Sequence, residues 1–165
     1  MSELIGAAKM QIGITKSRLL DTFAHVPDDK LTWSPDPKSK SPLRIAAHAA
    51  VTNRHFASMA RGNAPTASSV EEFAALQESE EIALATREQV VAALEESTAG
   101  LLTAIDGITP EQLAGSTQVA GRALPTKVFI FLGARHLDGH AAQIDYLQTT
   151  WGDQVNHFGI SEPNR

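Results

Sequence analysis

Arg135-His136-Leu137-Asp138-Gly139-His140-Ala141-Ala142-Gln143-Ile144-Asp145-Tyr146-Leu147 is the stretch on which the fold of this chain turns. Residues four apart on a helix are separated by about 40° in rotation and about 6 Å along the axis. Two imidazoles at that spacing therefore face the same side and can share one metal ion. Val128, Phe129, Leu132 and Leu147 fall on the inner positions with His136 and His140, which predicts a helix over residues 125–151 stopped by Gly152. Asp138 lies two positions from each histidine, about 200° around the helix, so it faces away and is assigned to solvent or to pairing with another helix.

Working outward, three further segments carry the same periodicity. Ile5, Ala8, Ile12, Leu19 and Phe23 form a stripe over residues 2–25, closed before Pro27. A polar loop with Pro35, Pro37 and Pro42 follows. Ser41-Pro42 is a capping serine with proline at the first helical position, and Ile45, His48, Thr52, Phe56 and Met59 line the helix it starts. Gly62 and Pro65 mark its end. Ser69-Val70-Glu71-Glu72 predicts a short helix to about Leu76. A third long helix begins near Ser79 or at Thr86, with Val90, Leu94, Thr98, Leu101 and Ile105 inward and Gly107 as its stop. Thr109 to Leu113 is one capped turn, and residues 115–125 are expected to be loop. The sum is an all-α four-helix bundle with long connections, one domain over residues 1–165. The phrases Val26-Pro27-Asp28-Asp29-Lys30-Leu31 and Ile108-Thr109-Pro110-Glu111-Gln112-Leu113 echo one another, a pattern that suits two related helix pairs and that chance also produces.

Composition agrees with packed helices: 42% hydrophobic, 20% charged and only 5% aromatic, with abundant alanine. The net charge is −5 with signs intermixed and no basic patch, so no nucleic-acid partner is expected. The absence of cysteine removes disulfides, thiolate ligands and a cysteine nucleophile. No run approaches the ~18 apolar residues needed to cross a bilayer, and no secretory leader is visible, so a cytoplasmic protein without membrane contact is expected.

His48 gives the histidine pair its third member. It occupies an otherwise apolar stripe, and burying an imidazole without partners costs on the order of a few kcal/mol. One shared cation would satisfy His48, His136 and His140 together; the competing account gives each a private hydrogen bond to backbone, carboxylate or water. His55, seven residues later on nearly the same face, is displaced about 10.5 Å along the axis and so is not expected to join His48 on one ion. His25 at a helix end and His157 in the tail are assigned to the solvated surface, as is Asp145. Trp33 and Tyr146 either line a pocket or pack. No phosphate-cradling glycine loop, nucleophile elbow or His-Glu-x-x-His phrase is present.

The inward histidine of Arg44-Ile45-Ala46-Ala47-His48-Ala49, following a loop that contains Leu31-Thr32-Trp33, and the stretch from His136 to Leu147 resemble the DinB/YfiT-like family of metal-binding helical bundles. The likeness covers nearly the whole chain in order and spacing. It implies a four-helix bundle with His48, His136 and His140 as metal ligands, often for nickel or zinc, and frequently a homodimer. Gln143 also matches and is placed beside the site, because an amide is a weaker metal donor than imidazole.

Three neutral imidazoles leave an ion's charge uncompensated and its shell incomplete, as in catalytic sites. Some members of the resembled family are thiol-dependent transferases or isomerases. The leading expectation is a metal-dependent transferase that uses a low-molecular-weight thiol and a small electrophilic substrate, with no general base assigned. The alternative is a metal-binding stress-related or interaction module without turnover. Protonation of the ligands should weaken metal binding below roughly pH 6.5.

Overall fold

The computed structural model describes residues 2–63, 69–119 and 121–157. Four long helices dominate: α1 (Ser2–Ala24), α2 (Pro42–Ala60), α4 (Arg87–Asp106) and α7 (Leu132–Thr150). Between them lie a 3₁₀ turn (Asp28–Lys30), α3 (Val70–Ala83), α5 (Pro110–Ala114), a hairpin of β1 (Ser116–Val119) and β2 (Arg122–Pro125), and α6 (Thr126–Phe129). The helix starts follow local chemistry. The Ser41 side chain accepts from Arg44 N–H with Pro42 behind it, and Thr86 and Thr109 form capping boxes with Gln89 and Gln112. None of the described helices is long and apolar enough to cross a membrane.

Cross-helix contacts fix the directions. Lys9 pairs with Asp106 and Lys16 with Glu95, so α1 and α4 are antiparallel. Arg18 bonds Asp138 and Asp145, and Thr22 bonds Asp145 at 2.7 Å, so α1 and α7 run parallel. Phe56 meets His136 while His48 meets His140, which makes α2 and α7 antiparallel. α1 and α2 therefore sit on one diagonal and α4 and α7 on the other, and each helix packs most closely on a parallel partner, α1 on α7 and α2 on α4. Parallel neighbours such as α2 and α4 cannot be joined by a tight turn, and α3 lies in the connection between them.

Alanine explains the closeness of α2 to its neighbours. Ala46, Ala47, Ala49 and Ala50 are fully buried on it, and Asn53 donates to Thr98 of α4 at 3.1 Å. Gly133 does the same for α7: a Cβ added there would lie 2.6 Å from Leu101 Cδ2. Gly133→Val is therefore expected to lower stability by about 1–3 kcal/mol through overpacking. Urea unfolding checks this, and an unchanged midpoint would show that the Leu101 side chain can swing aside.

Several expectations are corrected. The helix opened by Ser69 runs on to Ala83, well past Leu76, and the next long helix starts at the Thr86 cap and not near Ser79. The segment expected to be loop holds the β1–β2 hairpin, paired from Ser116↔Pro125 to Val119↔Arg122 beside Gly121, whose φ of +75° favours glycine. The final helix is not continuous from residue 125. After α6 the Phe131 N–H bonds Val128 O, a tighter turn that resets the helical phase before α7. The reset leaves Val128 exposed where an inward side chain was expected, with Ile130 buried in its stead, while Phe129 is buried as expected.

Candidate metal centre

α2 and α7 carry the three histidines to one place. One ring nitrogen from each of His48, His136 and His140 lies within 4.8 Å of the others. Ring centroids are 5.1 Å apart for His48 and His136, 5.0 Å for His48 and His140, and 4.3 Å for His136 and His140. On α7 this is the direct result of the four-residue spacing. His48 arrives from the antiparallel helix opposite, where Ile45 and Phe56 are buried on the same stripe.

The hydrogen bonds orient the rings. His48 Nδ1–H donates to Glu81 Oε1 at 2.6 Å, which leaves Nε2 as its lone-pair nitrogen, 3.5 Å from the Thr52 hydroxyl. His140 Nδ1–H donates to Gln143 Oε1 at 2.7 Å, again leaving Nε2 as the lone-pair nitrogen. His136 Nε2 lies 3.0 Å from His140 Nε2, and His136 Nδ1 is buried without a hydrogen-bond partner; an ion held between the two Nε2 atoms requires the His136 hydrogen on Nδ1. Two Nε2 atoms at this separation match neighbouring donors on one ion with bonds of about 2.0–2.1 Å. A divalent cation fits this set of three imidazole nitrogens, two of them on rings whose other nitrogen donates to Glu81 or Gln143.

Burial, reinforced by the neighbouring His140 and His48, pushes His136 down to about 3. His140 is also lowered, chiefly by burial and against the raising effect of Gln143. Neutral rings with available lone pairs are what a cation requires. Proton competition at these two rings thus falls below the free-histidine range expected from sequence.

The same shift has a consequence for the metal-free protein. A ring near 3 when folded and about 6.5 when unfolded takes up its proton preferentially in the unfolded chain. Its stability contribution is complete above pH ~6.5 and is lost progressively as the pH falls toward 3, on the order of a few kcal/mol in all. Urea midpoints of stripped protein measured across that window should fall with acidity, and His136→Leu should flatten the slope. Parallel slopes in the two proteins would contradict the buried neutral ring.

Glu81 is the member of the site that sequence reasoning missed. It is buried near the end of α3, where its carboxylate receives bonds from Lys40 Nζ, from Arg44 at 3.1 Å and from His48. Burial alone would raise its carboxyl, but the bonds from Lys40 and His48 outweigh this and hold it below its ordinary value. Nothing local marks Glu81 apart from Glu78 and Glu80. Only the added turns of α3 carry it over His48.

The remaining assignments fall on both sides. Gln143 is a neighbour of the triad, as expected. Asp138 pairs α7 with α1 through Arg18. His55 stands apart, 3.6 Å from Glu80 and edge-on to Phe73. Trp33 packs edge-on against Trp151, and exposed Tyr146 lines a cavity beside His48 and His140. Asp145 is not a free surface acid, because Arg18 and Thr22 hold it between helices. His157 is also corrected: the tail folds back and buries its ring against His25, which itself stays exposed.

A family model described as the DinB superfamily matches residues 11–144, a span that includes all three histidines. No curated protein matches the chain.

Proposed function

The chain belongs to the DinB superfamily, and from that premise we propose that His48, His136 and His140 hold a divalent metal ion, nickel or zinc, in a transferase joining a low-molecular-weight thiol to an electrophilic substrate. The observation that carries this reading is the position of the convergent nitrogens between two concavities. One, of about 570 Å³, is lined by Lys40, His48, His140, Gln143 and Tyr146 among others. The other, of about 330 Å³, is lined by Phe56, Arg135, His136, His140 and Gln143 among others. Two spaces flanking one triad suit a reaction of two small molecules.

A divalent ion held by neutral ligands supplies positive charge that favours thiolate over thiol. The chain's own residues do the rest. Lys40 and Arg135 place one cation at each concavity, suited to carboxylates on the thiol or its acceptor. Glu81 keeps His48 in one orientation. In the transfer the sulfur forms the new bond to carbon, the electron pair of the broken bond leaves with the displaced group, and the thiol proton passes to solvent. Glu81 is not assigned as a base, because Lys40, Arg44 and His48 already occupy its carboxylate.

The reading includes a cytoplasmic setting, where such thiols stay reduced, and a homodimer. Met10 and Ile14, exposed and one turn apart on α1, offer apolar surface for a second copy. Loaded protein should be challenged with common small thiols and a panel of electrophiles, following loss of free thiol. Consumption that disappears in His136→Ala supports the transferase. A loaded protein that is inert throughout would support the alternative, a metal-binding module without turnover.

A further inference from the structure

At the far end of α1, on the opposite side of α7 from the triad, a second group of donors comes together. One ligand atom from each of Asp21, His25 and His157 lies within 4.8 Å of the others. We propose that these three residues form a second divalent-cation site, which fastens the C-terminal segment to the end of α1.

The argument starts from the helix. Asp21 and His25 are four residues apart at the end of α1, so carboxylate and imidazole share a face, 3.9 Å apart at His25 Nδ1. His25 Nδ1–H donates to Asp21 O at 2.8 Å, which fixes the tautomer and leaves Nε2 with the lone pair. The tail supplies the third donor. His157 is 7% exposed, and its Nε2–H donates to Asp153 Oδ2 at 3.0 Å, leaving Nδ1 as its lone-pair nitrogen. Asp153 is itself oriented by Val155 N–H, and its carboxyl is held below the ordinary value by the His157 and Val155 bonds.

Each histidine thus has a backing acceptor, a backbone carbonyl for one and a carboxylate for the other. These are the outer-shell partners that metal-bound histidines use. The backbone is also fixed, because Thr22 Oγ1 donates to His157 O at 3.1 Å. The rings now stack with centroids 3.9 Å apart and an interplanar angle of 17°. A shared ion needs them splayed, since its bonds lie in each ring plane. His25, whose side chain is 51% exposed, has room to turn while Asp153 holds His157. The carbonyl end of a long helix adds further attraction for a cation. Two imidazoles and a carboxylate with open positions suit zinc.

The test is zinc stoichiometry of the metal-stripped full chain, by equilibrium dialysis with elemental analysis. The wild type, His136→Ala, His25→Ala and the double variant are compared. Expected are two ions in the wild type, one in each single variant and none in the double. In His136→Ala, added zinc should also shift the imidazole nitrogen resonances of His25 and His157. An ion that is lost with His136→Ala and unaffected by His25→Ala, with those resonances unmoved, overturns the proposal. Failure of the triad instead would leave one wild-type ion that depends on His25 alone. His157→Asn, which keeps a polar side chain in the tail, should match His25→Ala; zinc retained in full by both variants would equally overturn it.

Discussion

His136→Ala is expected to strip the triad of its metal at protein concentrations where the wild type remains loaded. Four-ligand structural zinc sites gain roughly 10–16 kcal/mol on binding, so one ligand is worth about 3 kcal/mol, more than a hundred-fold in affinity. Of the three proposed ligands His136 is the one to choose, because it is fixed between His140 and the edge of Phe56. It also stands at one remove from the Glu81 network, so its loss leaves Lys40, Arg44 and His48 paired. The fold should survive, since removing a lowered, partner-poor imidazole relieves an unsatisfied Nδ1 while opening a small cavity. Competition against a chromogenic chelator measures the loss, with circular dichroism as the control for folding. An affinity within a few-fold of the wild type would mean that the three rings are not ligands of one ion.

Glu81→Ala is expected to weaken metal binding by about 10–100-fold although Glu81 is no ligand, the usual cost of losing an outer-shell partner. Without the carboxylate, His48 loses the acceptor that fixes its Nδ1 hydrogen, and the ring is free to rotate or change tautomer. Lys40 and Arg44 are meanwhile left without their buried counter-charge. Both side chains retain solvent access, so the stability cost stays at roughly 1–3 kcal/mol, below that of a fully buried broken pair. Glu81→Gln keeps an acceptor for His48 and should recover part of the affinity with less of the stability. That split between the two variants separates a positioning role from a purely structural one. Equal metal affinity in wild type, alanine and glutamine proteins would reduce Glu81 to a helix-packing residue.

The helices were readable because their signals are local. Capping at Ser41, Ser69, Thr86 and Thr109 depends on bonds spanning three residues, and all four caps form. The inward stripe of α4 was read without error, with Val90, Leu94, Thr98, Leu101 and Ile105 all buried. Errors came where local signals are weak. The hairpin at residues 116–125 offers few side chains to either face, so alternation could not announce it. The end of α3 was misplaced because a polar helix held on one side by α2 shows little periodicity to follow.

By itself the sequence determined the helical class, the main inward faces and the pairing of His136 with His140, because each is written within one or two turns of chain. Tertiary structure alone decided that α1 lies parallel to α7, that Glu81 reaches His48 across 33 positions, and that His157 returns to His25. The physical reason is range. A helix records its own hydrogen bonds and apolar stripe in adjacent residues, whereas the neighbour that stripe meets depends on packing complementarity between distant segments, for which no local pattern exists.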